Sequence, residues 1–530
     1  MNISNAIKQS LLKRITSGLG YSYEVSVTRR MWERFCHVDN PAPSSLYGRM
    51  MAFLGCGLEG VGRVVCNSFF YKAVMLLKSL WLRLIRGSLV FSGRYSLKLH
   101  QWVLVLFALY LPLEYGIRNY VKIPLVVSAW EELFIIGVIL FVVWRRSLKN
   151  TLSIGRQSPL DIYIILYVAA AFFLMCFVAP YPAIAFDGFR AQITYLIWFF
   201  LIIRLVEDYE DFEIAYHAFL FVAVALCLHG IYQYLVAVEI PASWVTKTEM
   251  GVRTRVFSLT GSPNIFGAFI VMSAPLAAGL VYYSRRIWVK LTYAGVTGMM
   301  CLCLLFTFSR GAWVGIIVAV MIFSLYMDRR LLLLLGGGIA IILVAVPSIT
   351  GRLTYLFTSD YAEASAIGGR SLRWETGRML LLENNPWFGF GLGRFGGAVA
   401  MNNQVLDKTD DFEYFYMDNY YLKTMVEMGY LGILIYLLLL AAFVVWGIRA
   451  IYRSGQGFNR GMGQGVSEPL KRSIGDPRVL AVSIFSGMCG VLVHCYFENI
   501  FEVPYMMSYF WGLAALLMYI GFFNQRLPSR

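Results

Sequence analysis

Apolar runs edged by basic residues recur along this chain. A run of about 20 apolar residues carries a helix across the hydrocarbon core of a bilayer. Such runs fall at about 101–117, 123–144, 160–180, 190–206, 214–238, 264–283, 288–308, 311–327, 331–349, 429–451, 479–498 and 505–523. They predict an all-α integral membrane protein of about twelve transmembrane helices. Composition agrees. Hydrophobic residues are 58% of the chain and charged residues 15%, against about 45–50% and about 25% in soluble domains. The mean hydropathy is +0.63. A soluble enzyme, a disordered chain and a disulfide scaffold are excluded.

The formal net charge is +15. In a soluble protein that excess would suggest nucleic acid. Here the basic residues flank the apolar runs, as cytoplasmic loops facing anionic lipid do, and no nucleic-acid partner is expected. The positive-inside rule sets the orientation. Arg145, Arg146, Lys149 and Arg156, then Arg285, Arg286 and Lys290, then Arg329 and Arg330, then Arg449 to Arg478 fall in alternate loops. Both termini are therefore expected in the cytoplasm. Five of the nine cysteines lie inside apolar runs, where they act as small hydrophobes. With no zinc-like CxxC pair, no metal is expected.

The expected organisation has five parts. Residues 1–98 form a basic cytoplasmic or membrane-surface region, in which 69–86 reads as an amphipathic helix on the membrane or as a short extra span. Residues 99–349 carry helices one to nine, and 350–418 form one large extracytoplasmic loop between the ninth and tenth. Residues 419–523 carry the last three helices, and 524–530 form a cytoplasmic tail. A loop of roughly 70 residues is usually a lid or a binding segment. Within it, Leu372–Glu383 reads as a short amphipathic helix, and Asn385-Pro386 with the following glycines reads as turns.

Gly391-Leu-Gly-Arg-Phe-Gly396 matches GxGxxG. A dinucleotide site would need a preceding strand and a following helix; neither is expected, so the motif reads as a tight turn. No GxxxxGK[ST] suggests use of ATP. His217, His229 and His494 sit in apolar runs, where a neutral, hydrogen-bonded core histidine is the simpler reading. His494, near Glu498 at the outer end of its span, is the best candidate of the three.

The arginines carry more information. Arg310 breaks two spans at the outer surface, Arg253 and Arg255 lie in the first long outer loop, and Arg370 and Arg373 open the amphipathic piece of the second. Arginine outside runs against the positive-inside trend. A guanidinium fork suits bidentate capture of phosphate, and several converging at the outer leaflet would bind a lipid diphosphate. Contact with lipid headgroups is the simpler alternative. Asp418 stands where the long loop re-enters the membrane. It reads either as a helix N-cap or as a base beside the arginines.

At these residues the chain resembles the O-antigen ligase and polymerase superfamily of bacterial surface-polysaccharide enzymes. The matching stretches are Gly261-Ser-Pro-Asn264, Thr307-Phe-Ser-Arg-Gly311, Gly369-Arg-Ser-Leu-Arg-Trp374, Asn385-Pro-Trp-Phe-Gly-Phe-Gly-Leu-Gly393 and Asp418-Asn-Tyr-Tyr-Leu422 with Glu427-Met-Gly429. Their order covers about residues 100–523. The resemblance implies a glycosyltransferase in the bacterial cytoplasmic membrane, without metal, nucleotide or other cofactor. It would move or polymerise glycan from a polyprenyl diphosphate donor to a glycan or lipid-glycan acceptor on the outer face, with other assembly proteins as further partners. By the same resemblance Arg310 and Arg370 are catalytic, with Asp418 beside them. Substrate-binding candidates are Arg253, Arg255, Asn264, Arg373, Asn419, Glu427 and His494. Where ligases that load lipid A typically carry histidine, this chain has Asp418, which makes a polymerase at least as good a reading. A transporter or flippase would show inverted repeats and paired broken helices, and neither is visible. A non-catalytic assembly partner would not need Arg310.

Overall fold

The computed structural model describes residues 97–148, 157–241, 254–345, 369–404, 415–463 and 475–524, with a few positions between them. The amphipathic segment expected at 69–86, Arg253 and residues 525–530 lie outside the described residues. Among the described residues every regular element is helical, as a lipid solvent demands: a spanning segment must satisfy its own amides.

In chain order the helices are α1 (Leu99–Ala108), α2 (Tyr110–Tyr120), α3 (Pro124–Leu148), α4 (Asp161–Phe173), α5 (Pro182–Ile193), α6 (Ile197–Leu205), α7 (Tyr209–Val236), α8 (Pro263–Tyr283) and α9 (Ile287–Phe306). Then follow α10 (Arg310–Tyr326), α11 (Arg330–Ala345), α12 (Arg370–Glu383), α13 (Ala398–Asn403), α14 (Tyr420–Gly463), α15 (Pro477–His494) and α16 (Pro504–Met518). Nine helical stretches among the described residues are long and apolar enough to cross a membrane. The other three expected spans coincide with shorter apolar helices: α1, α10 and the first part of α11. The first of these was expected to run unbroken over 101–117. It divides at Leu109 into α1 and α2.

Helices α8, α15 and α16 form the buried centre, while α9 shows most of its surface outward. Between apolar helices in lipid no hydrophobic force acts, so close packing rests on small residues. A Cβ on Gly490 would sit 2.6 Å from the Gly315 carbonyl oxygen, and one on Gly315 would sit 2.8 Å from the Gly490 carbonyl oxygen. Any larger residue at either position would force α10 and α15 apart.

The acidic segment Glu207–Glu213 has a structural use. Asp208 caps α7, accepting from the Asp211 amide at 2.9 Å. The buried Asp211 carboxylate meets His100 Nε2 at 2.9 Å and accepts from Gln101 Nε2 at 2.8 Å. This pairing docks α1 against the start of α7, at the end of the bundle opposite the first residues of α8, α10 and α14.

Helix α14 begins at Tyr420, earlier than the apolar run at 429–451 implies, and kinks at Gly429 (φ 68°, ψ −172°). The freed backbone groups find partners in the glycine-rich turn. Phe390 N and Gly391 N donate to the carbonyls of Val426 and Glu427 at 2.7 and 3.1 Å. Tyr430 N and Leu431 N donate to those of Pro386 and Trp387 at 2.8 and 3.1 Å. The GxGxxG stretch is thus a strap laid along a broken helix, and Gly391, Gly393 and Gly396 have positive φ.

Candidate functional site

Four helices, α8, α10, α12 and α14, start at one end of the bundle, where α15 ends. Helix N-termini carry partial positive charge and unpaired amides, a setting that favours anions. Into this end the chain delivers arginines from three segments and carboxylates from two.

Arg370 is the first residue of α12 and Asp418 lies just before α14. Arg370 Nε donates to Asp418 Oδ2 at 2.5 Å, and its Nη2 donates to the Phe497 carbonyl at 2.8 Å. The other Asp418 oxygen accepts from Trp374 Nε1 at 3.0 Å. Both oxygens are therefore engaged. The N-cap is not Asp418 but Asn419, whose Oδ1 accepts from the Leu422 amide at 3.0 Å. This separates the two sequence readings of Asp418: it belongs to the arginine cluster, and its neighbour caps the helix.

A second linked set comes from the loop before α8. Buried Arg255 donates through Nε to the Thr307 carbonyl (3.1 Å), through Nη1 to the Trp244 carbonyl (2.9 Å) and through Nη2 to Asn264 Oδ1 (3.2 Å). Asn264 in turn donates from Nδ2 to Glu498 Oε2 at 2.5 Å. Glu498 follows α15 and sits in the combined field of Arg370, Arg255 and Asp418. Burial pushes its carboxyl up to about 7, against the opposing pull of Asn264 and the two arginines. A carboxylate titrating near neutral pH can take a proton under working conditions.

Arg310 starts α10 two residues after Phe308, which has φ 50° although it is neither glycine nor asparagine. That conformation costs energy for a bulky residue and is held only where the surroundings impose it. Here Thr307 is anchored by Arg255 and Val256 N donates to the Phe306 carbonyl at 3.1 Å. The turn thereby fixes where Arg310 leaves the backbone. A Cβ on the adjacent Gly311 would lie 2.9 Å from His494 Nε2 and 2.9 Å from Phe497 Cβ, so α10 abuts the segment that supplies Glu498. His494 is buried, and its Nδ1 has no hydrogen-bond partner among the described residues.

The remaining sequence candidates fall elsewhere. Glu427 is buried in α14, where it accepts from Lys423 Nζ (2.8 Å), Gln192 and the Phe395 amide (3.2 Å). It secures the strap to α14, so its carboxylate is spent on structure and not on the arginine cluster. Asn419 is a cap. Arg373 lies beside the site, with Nη1 3.4 Å from the Tyr416 carbonyl and its guanidinium over the Phe415 ring at 5.7 Å.

Sequence reasoning undervalued Trp374 and Glu498. Trp374 was legible: it follows Arg370 by four residues, and such pairs share a helix face. Glu498 was named beside His494 and, with Glu413 and Glu427, as an alternative to Asp418 for the base; its approach to Asn264 and Arg370 was not visible because they are distant in sequence.

Residues 295–437 match the family model described as O-antigen ligase. The match takes in Arg310, Arg370, Trp374, the glycine strap and Asp418, and makes this part of the chain similar to that family. Arg255, Asn264 and Glu498 lie beyond it. No curated protein matches the chain. Fold and match together describe a helical protein with several helices able to cross a membrane, part of it similar to O-antigen ligases, in keeping with glycan processing at the membrane.

Proposed function

We propose that the protein is a glycosyltransferase of the bacterial cytoplasmic membrane that uses a polyprenyl diphosphate-linked glycan on the outer face. The observation that carries this reading is the convergence of Arg370–Asp418, Arg255–Asn264–Glu498 and Arg310 on one end of the bundle, where four helices start. An acceptor hydroxyl attacks the anomeric carbon, its proton passes to a carboxylate, and the bond from that carbon to the phosphate oxygen breaks. The leaving diphosphate gains charge, which guanidinium groups at Arg310 and Arg370 stabilise. The donor bond supplies the energy, so the reaction draws on neither nucleotide nor metal.

The carboxylate roles follow from their partners. Asp418, held by Arg370 and Trp374, orients the Arg370 fork. Among the described residues Glu498 has Asn264 as its one side-chain donor, and its carboxyl lies near 7, which suits the base better. In this reading the chain has about twelve spans, with α1, α10 and α11 completing the nine, and both termini and the basic loops face the cytoplasm.

Deletion of the gene tests the function. Surface glycan capped with single repeats indicates a lost polymerase, and full-length polymer stranded on the carrier indicates a lost ligase. Unchanged surface glycan with no lipid-linked intermediate accumulating would reject the proposal.

A further inference from the structure

A cavity lies at the same end of the bundle, across the loop that carries Arg255 and Asn264. Its volume is about 480 Å³, within the range of about 300–1,000 Å³ usual for small-molecule sites. Helix α2 forms one wall with Glu114, Tyr115, Arg118 and Asn119; His229 near the end of α7 and Tyr505 at the start of α16 face them. The floor is the 257–261 stretch, in which Ser258 has φ 48° and its hydroxyl donates to the Leu226 carbonyl at 2.9 Å.

The chemistry of this wall differs from that of the arginine cluster. Its one arginine is already neutralised: Arg118 donates to Glu114 at 2.9 Å and to Glu131 at 3.1 Å. One cation against two carboxylates is no receptor for a diphosphate. The second oxygen of Glu114, a residue only 7% exposed, has no hydrogen-bond partner among the described residues. An acceptor left open in a buried wall calls for a donor from a ligand. Tyr115 is 38% exposed and offers an aromatic face, which stacks on the C–H face of a sugar ring. The Asn119 amide and the Glu114 carboxylate supply the paired acceptors and donors that adjacent hydroxyls need. The lack of excess positive charge, an open carboxylate oxygen and an exposed ring together select a hydroxyl-rich, uncharged ligand.

We infer that this cavity is a saccharide subsite, which holds a short stretch of glycan beside the transfer centre. The inference rests on the function proposed above and adds to it a place for the sugar chain as distinct from the diphosphate. The shared 254–264 loop couples the two: Arg255 and Asn264 reach the transfer centre, while residues 257–261 line the cavity. A glycan seated here would hold the loop in the conformation that places Asn264 on Glu498.

The test uses the full-length protein in nanodiscs and, as probe, the free oligosaccharide released by mild acid from the lipid-linked donor of the deletion strain. Saturation-transfer NMR reads contact between protein and sugar directly. Wild type is expected to transfer saturation to the sugar. Tyr115→Ala, Asn119→Ala and Glu114→Gln are each expected to bind at least about tenfold more weakly, whereas Arg370→Lys keeps the signal. Tyr115→Ala and Asn119→Ala change exposed side chains, so correct folding is checked by an unaltered melting curve. Equal signal from all three cavity variants, or none from wild type, overturns the subsite. Full glycan transfer by Arg370→Lys would instead count against the transfer centre and leave the cavity result standing.

Discussion

Arg370 Nε meets Asp418 Oδ2 at 2.5 Å across 48 residues of sequence, and this pair joins the start of α12 to the start of α14. Trp374 locks the carboxylate from the same helix face. Asp418→Asn keeps an acceptor for the indole but loses the charge opposite Arg370. Glycan transfer is expected to fall by about 10- to 100-fold, the rate equivalent of a charge-assisted hydrogen bond worth about 1.5–3 kcal/mol. A positioning role leaves the acid limb of the pH profile in place, whereas a profile flattened by Asp418→Asn would mean that Asp418 is the base.

Glu498 should set that limb. Wild-type transfer is expected to rise with pH through about 7, and Glu498→Gln to lose about 10²–10⁴-fold in rate. Stability runs the other way. A carboxyl raised from 4.5 to about 7 by folding holds more protons in the native state across that window, so its contribution to stability is lost as pH climbs. Glu498→Gln should therefore melt no lower than wild type at pH 8, even though it is inactive. A clearly lower melting temperature at that pH would contradict the assignment.

Arg310→Lys and Arg370→Lys preserve charge and discard the planar fork. Both variants are expected to reach the membrane at normal levels and to fail in transfer. Immunoblots of membranes alongside surface glycan gels give the answer, and wild-type polymer in both strains would remove the arginines from the mechanism.

Gly429 adopts a backbone conformation open essentially only to glycine, and a Cβ there would run into the Trp387 backbone. Gly429→Ala should cost about 1–3 kcal/mol or more, read as a lower melting temperature in detergent. Gly295→Ala, on a surface with nothing within 4 Å of the added carbon, serves as the control. Equal melting of the two would show that the strap does not depend on the kink.

Orientation is checked by a single cysteine. Asn403 is exposed at the end of α13. In a cysteine-free background Asn403→Cys should react with an impermeant thiol reagent in intact cells stripped of their outer layer. Labelling only after lysis would turn the site to the cytoplasm.

Much of this architecture is written in local pattern. A helix in lipid must bury its own amides, so a 20-residue apolar run is a helix whatever surrounds it. That is why the apolar runs give, among the described residues, nine helical stretches long and apolar enough to cross a membrane, and why the amphipathic stretch at 372–383 is a helix beginning at Arg370. Arg310, Arg370, Arg255 and Asp418 stood out as candidates as well, since charge at the edge of a span needs a reason.

What local pattern does not contain is which charge faces which. Asp418 and Asn419 are adjacent and both suit a cap. Only the approach of Arg370 and Trp374 makes one a partner of the arginine and leaves the other to the helix. Glu427 and Glu498 both read as spare carboxylates, and the fold spends the first on Lys423 and the strap while it sets the second against Asn264. The glycine motif read as a turn, but its role as the hydrogen-bonding partner of a broken α14 appears only once residues 385–391 lie beside Gly429. Helix formation depends on neighbours within about four residues along the chain. The site depends on contacts between residues tens to hundreds of positions apart, which exist only after α8, α10, α12, α14 and α15 have packed.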